Sequence, residues 1–176
     1  RGLGDVYKRQ SFGMAALNSY YATPSVADSH GFTLADAPWP HIFDPFREAV
    51  AGKKVAVIGH FPFAPKALTQ AADFYMLERS LNEGDYPDSA AEYILPECDY
   101  VFITGSAFVN KTAPRLLELS RDAFNVILGP TTPLAPVLVE DYGVSQVTGM
   151  LPTSPLAMFE GLSLSLIHIS EPTRPR

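Results

Sequence analysis

From residue 53 onward, short apolar runs alternate with small amphipathic stretches, and glycine, proline or a capping polar residue marks each junction. The run KKVAVIG at 53–59 enters through two lysines and reads as a strand buried on both faces of a sheet. Residues 65–72 predict a short helix, and FYMLE at 74–78 a second strand. A helix over 88–95 stops at Pro96, and a third strand spans 100–104. Residues 113–121 predict a helix with Leu116, Leu117 and Ser120 toward the sheet, followed by a fourth strand at 125–128. Residues 136–142 predict another helix and 145–150 a fifth strand, after which Ser154-Pro155 caps one more helix. Strands alternating with helices mean βαβ units with right-handed crossovers. The expected fold class is therefore α/β, a parallel sheet of about five strands with helices on both faces. The long return over 80–99 fits a crossing to the far side of strand one. That favours the order 2-1-3-4-5 over 3-2-1-4-5 and puts the switch point between strands one and three.

Upstream the pattern differs. SFGMAALNSYY at 11–21 has the small and apolar residues of a packed helix, ending before Thr23-Pro24. Residues 22–42 carry three prolines and the single Trp with no steady period, as a connector laid over a surface would. Asp44-Pro45 then predicts a short helix, with Asp44 as N-cap and Gly52 placed to end it. Residues 1–10 (with GLGDVYKRQ) and 164–176 (with SLIHISEPTRPR) resemble translated sequencing-adapter read-through, although 164–169 also alternates like a strand. The chain is thus expected to divide into adapter-like 1–10, a helix and connector at 11–43, the α/β domain at 44–163, and adapter-like 164–176.

Composition narrows the function classes. A hydrophobic content of 47% is ample for a core, and no apolar run approaches the roughly 18 residues of a membrane span. The adapter-like ends hold five of the 13 Lys and Arg but two of the 19 Asp and Glu. Between them stand eight basic against seventeen acidic residues, a net of −9 against −6 for the whole chain. So acidic a stretch, without a basic run, argues against a nucleic-acid partner. The lone Cys98 excludes an internal disulfide and fits a reducing, cytoplasmic setting.

The candidate chemistry gathers around DYVFITGSAFVNKT at 99–112. Strand three ends at Thr104, Gly105 and Ser106, and a helix opens near Asn110 or Thr112, so 104–112 is expected to wall a crevice beyond the strand ends. Thr104, Ser106, Asn110 and Thr112 offer hydroxyl and amide groups that suit a carboxylate or phosphate. Strand one ends in Gly59, His60 and Phe61, but the spaced glycines of a dinucleotide fingerprint are missing, so unmodified NAD or FAD is not expected. Glu78 stands 19 residues beyond Gly59, where a ribose-holding carboxylate would sit; the competing reading pairs it with Arg79 on the rim. The loop carrying Asp85 is expected beside the same crevice, where Asp85 could face a ligand, whereas Asp88 as N-cap with Glu92 in the first turns is an ordinary helix start. Thr131, in Gly129-Pro130-Thr131-Thr132-Pro133, ends strand four on that side. No nucleophile elbow or P-loop is present, Lys111-Thr112 lacking the glycines, and whether the chain is an enzyme stays open. No metal ligand set is expected from Cys98, His60, His30, His41 and His168, and Cys98 reads as a buried strand residue.

VAVIGHFPF, LERS, GDYPDSAAEYILPECDYVFITGSAFVNKT and GPTTPLAP together resemble the putative heavy-metal chelation family, over about residues 44–163. The resemblance implies a Rossmann-like C-terminal domain preceded by an enolase-N-terminal-like domain, of which 11–21 would be the last helix. It also implies a site where the two domains meet, with some likeness to Rossmann methyltransferases. The expected function is binding or processing of a small polar molecule in the crevice, such as a pterin- or siderophore-like metal chelator. An S-adenosylmethionine- or nucleoside-binding transferase is the first alternative, and a non-enzymatic metal carrier the second. The expected partner is that small molecule, as a free compound or a metal chelate; the cofactor is unknown, and a homo-oligomer is left open.

Overall fold

The computed structural model describes residues 3–33 and 41–151. The helix expected at Ser154-Pro155, the strand-like 164–169 and His168 lie outside them. Helix α1 runs unbroken over Leu3–Tyr21. The segment expected to be an irregular connector contains helix α2, Pro24–Ser29, opened by its proline and burying Ala27 in the core.

The turn at 44 departs from expectation. It is a 3-10 helix, Asp44–Phe46, whose preceding residue is Phe43. The Asp44 carboxylate takes the His41 ring (2.7 Å) and Arg47 Nε (3.0 Å) instead of capping backbone N–H groups. What the turn does bury is aromatic: Phe43 stacks edge-on against Phe61 and Phe102, and Phe46 against Phe102.

The sheet then follows: β1 Lys54–Ile58, α3 Ala64–Ala67, β2 Asp73–Glu78, and a two-residue β3 at Tyr86–Pro87. Next come a 3-10 turn Asp88–Ala90, α4 Ala91–Ile94, a 3-10 turn Leu95–Glu97 and β4 Tyr100–Thr104. Helices α5 Ser106–Val109 and α6 Ala113–Leu119 lead to β5 Phe124–Leu128, then α7 Val137–Glu140 and β6 Gln146–Thr148. All pairings are parallel, in the order β3-β2-β1-β4-β5-β6. The five expected strands keep the favoured order; the sixth is the short edge strand beyond β2. Pro87 lacks the N–H that would let that edge continue. Cys98 precedes β4 rather than lying in it. Among the described residues, no helix is long and apolar enough to cross a membrane.

Side chains alternate strictly between two cores, as the two-residue strand period requires. Ala56, Ile58, Val101, Ile103 and Ile127 point to the face covered by α4, α5, α6 and α7. Val55, Val57, Phe102, Val126 and Leu128 point to the other, covered by the 43–50 turn and α3. Where β4 leaves the sheet, Gly105 packs directly on the loop after β5. A Cβ there would stand 2.6 Å from the Thr132 backbone nitrogen and 2.8 Å from the Thr131 carbonyl carbon. Gly105→Ala must therefore push two backbones apart, and is expected to cost about 1–3 kcal/mol in a urea titration. Gly13→Ala, on the exposed side of α1 with nothing within 4 Å of the new methyl, should instead gain about 0.5–1 kcal/mol.

Candidate functional site

β1 and β4 lie side by side, but their outgoing chains part to opposite faces of the sheet. After β1, Gly59 turns the chain with φ 103 toward α3; after β4, the chain turns toward α5 and α6. A side chain at Gly59 would lie 3.1 Å from Thr104 Cβ, so glycine is needed for both its conformation and the close approach. Beyond these strand ends, on the side of α4, α5 and α6, is a cavity of about 310 Å³. Ile58, Leu77, Ala91 and Leu116 make its apolar floor. Its walls are polar: Glu78, Arg79, Asp88 and Ser89 on one side, and Thr104, Ser106, Asn110, Lys111, Thr112 and Arg115 on the other. Residues 104–112 thus supply much of one wall, as the sequence suggests.

Glu78 is held by backbone. One carboxylate oxygen accepts the His60 N–H at 2.9 Å and the other the Arg79 N–H at 2.6 Å. The Arg79 guanidinium pairs with Asp88 instead (3.0 Å), so neither the Glu78–Arg79 rim pair nor the capping role for Asp88 describes what these groups do. Glu92 likewise meets Arg115, which bridges it to Glu118; that contact holds its carboxyl below the ordinary value. Asn110 Oδ1 accepts both the Thr112 N–H (3.0 Å) and the Thr112 hydroxyl (2.6 Å), and Thr104 Oγ1 shares a hydrogen bond with Ser106 Oγ (3.0 Å). The helix expected to open near 110–112 does so as the seven-residue α6 after Thr112, and the four-residue α5 before it is one that the sequence does not signal.

The other candidate residues fall outside the cavity lining. Phe61 lies on the far face of the sheet, buried against Phe43 and Phe63, and serves the core. Gly105 is a packing contact, and the Thr131 carbonyl accepts the Asn18 side-chain amide at 3.0 Å, docking α1. His60 and Asp85 form a pair beside the cavity, with His60 Nδ1 3.1 Å from Asp85 Oδ2. The Asp85 side chain is 1% exposed against 33% for His60, and its Oδ1 has no hydrogen-bond partner. Burial alone would push the Asp85 carboxyl up. The Asn82 backbone N–H, the Asn82 amide and the His60 ring outweigh it and hold the group below its usual value.

Ser89 and Arg115 are lining residues that the sequence does not single out, and Lys111 is one that it offers only within a P-loop lacking its glycines. Arg115 lies on the α6 surface facing α4, and only the α4–α6 packing brings it to the cavity; no local motif signals that. A larger cavity of about 560 Å³ lies between 31–33, 41–46 and 146–151. The one titratable group in its described lining, His41, is already tied to Asp44, so the smaller cavity holds the richer chemistry. Among the described residues no group of three or more His, Cys, Asp or Glu could hold a metal ion. Cys98 is buried, bonded to the Ile94 carbonyl at 3.3 Å, and burial pushes its thiol up to about 11. A heavy metal held by protein ligands alone does not fit this donor set.

The family model described as DUF364, putative heavy-metal chelation, matches residues 41–168. The crystal structure of a DUF364 protein of unknown function from Desulfitobacterium hafniense is 45% identical, with a TM-score of 0.79 over 90% of this chain and 62% of that one. A second DUF364 structure, from Pyrococcus horikoshii, is 27% identical with a TM-score of 0.68, covering 86% of this chain and 60% of that one. An uncharacterized protein of Methanocaldococcus jannaschii is 31% identical over 101 residues, 54% of this chain and 39% of its own. The chain spans less than two thirds of the length of each.

The Asp85 geometry sets a pH dependence. Its folded pKa is lowered, so its charged form stabilises the fold above the unfolded value near about 4 and stops doing so as pH falls through the lower folded value. Asp85→Asn should lose about 1–3 kcal/mol at pH 7. The gap to wild type should close in acid, as read from urea midpoints across the pH range.

Proposed function

The chain belongs to the DUF364 putative heavy-metal chelation family, and we propose that it binds a small polar organic molecule in the cavity beyond the ends of β1, β2 and β4. The observation that carries this reading is the cavity itself. It combines an apolar floor with converging hydroxyl, amide, ammonium and carboxylate groups, at the switch point where open α/β sheets take their ligands. Its volume of about 310 Å³ falls at the small end of the roughly 300–1,000 Å³ common for ligand sites. A pterin- or siderophore-like chelator satisfies both this chemistry and the family description, with any metal entering as part of the organic ligand.

The contacts assigned to the ligand are Gly59, Glu78, Thr104, Ser106 and Asn110. His60 and Asp85 hold the β1 tip beside them. A nucleoside or S-adenosylmethionine would call on Glu78 to take ribose hydroxyls with the acceptor sites that its two backbone bonds leave, and Glu78 is the one observation that favours it. Resting on that one residue, the transferase is the weaker reading, and the donor set makes the metal carrier weaker still.

Ser106 borders the cavity and is exposed, so Ser106→Phe fills the space without entering the core. Native mass spectrometry of the wild-type chain should show a co-purifying organic mass that Ser106→Phe loses, with circular dichroism unchanged. Retention of that mass in the variant counts against the cavity. A mass identified as an adenosine compound would bring the transferase forward.

A further inference from the structure

Five of the six charged side chains that border the cavity are already committed. Arg79 pairs with Asp88, and Arg115 with Glu92 and Glu118, while Glu78 accepts two backbone N–H groups. Lys111 has no ion pair among the described residues, although it borders the same cavity and is exposed. It is also the one non-glycine residue with a positive φ among them, at 65°. That conformation is sterically costly for any side chain with a Cβ, and glycine or asparagine would fill it more easily. The turn between α5 and α6 therefore gives no local reason for lysine. Beside it, both bonds to Thr112 engage the oxygen of the Asn110 amide, which leaves the Nδ2 donor end without a partner among the described residues. The Thr104 and Ser106 hydroxyls complete a donor-rich end of the cavity.

We infer that Lys111 binds an anionic group of the ligand, a carboxylate or a phosphate, with Asn110 donating beside it. The inference rests on reading the cavity as a ligand site. Isothermal titration of the full chain with citrate and, separately, inorganic phosphate tests it. One of the two should bind saturably and more weakly as salt is added. Lys111→Arg should stay within about threefold of wild type, and Lys111→Asn should bind about tenfold or more weakly, as expected for loss of one charge-assisted contact. The urea midpoint of Lys111→Asn should be unchanged or raised, because asparagine tolerates the left-handed region. Binding of citrate alone assigns a carboxylate, and of phosphate alone a phosphoryl group. Wild-type affinity in Lys111→Asn, or no saturable binding of either probe to wild type, overturns the inference. If Lys111→Asn loses the probe while Ser106→Phe keeps it, the lysine binds the anion but the cavity reading fails.

Discussion

The chain enters the sheet at β1, builds outward through β2 and β3, and then has to return across the sheet to add β4 on the other side of β1. That one topological constraint decides where a ligand can go. Crossovers of one hand put helices on a given face only while the sheet grows in one direction. At the reversal, the chain leaving β1 turns to one face and the chain leaving β4 to the other, so their exits diverge. Among the described residues, side chains at the strand ends and on α4, α5 and α6 border the space this leaves. The cavity is thus a product of strand order, and its polar lining is what sequence adds to it.

Divergent loops at an open edge have to be tied, and a few short side chains do this. Glu78 fastens the end of β2 to the backbone after β1, and Asp85 fastens the β2–β3 loop to the His60 ring. Gly105 lets the chain leaving β4 lie directly on the loop after β5. Each tie joins the C-terminal end of one strand, or the loop that follows it, to the loop following another. The rim is therefore rigid in the sense that matters for recognition: the polar groups around the cavity are positioned before any ligand arrives, which lowers the ordering cost of binding.

The sheet was legible in the sequence because a strand buried on both faces leaves an uninterrupted apolar run, and the long return over 80–99 implied the crossing. The edge strand Tyr86–Pro87 escaped notice because two residues carry no period, and a proline argues against a strand. Capping was less legible. Asp44, Asp88 and Glu92 look like helix starts, but the first two make ion pairs beside 3-10 turns and the third reaches across to α6. Such turns are too short for local signals to settle. Of the candidate site, Gly59, Glu78, Arg79, Thr104, Ser106 and Asn110 do come together around the cavity. Phe61 was misplaced because one residue of offset after a strand moves a side chain to the opposite face.

How a protein in a family named for chelation handles metal turns on where its donor atoms already are. His41 is held by Asp44, His60 by Asp85, and the Cys98 thiol is buried and protonated against the Ile94 carbonyl. Each histidine is tied through Nδ1, so binding through Nε2 would leave the tie in place, but none of the three has two other ligands within reach among the described residues. The cavity offers hydroxyls, an amide, an ammonium group and a carboxylate around an apolar floor. Those groups recognise the outside of an organic molecule. On the reading proposed here, the organic ligand supplies the soft or multidentate donors that a heavy metal prefers, and the protein recognises the ligand.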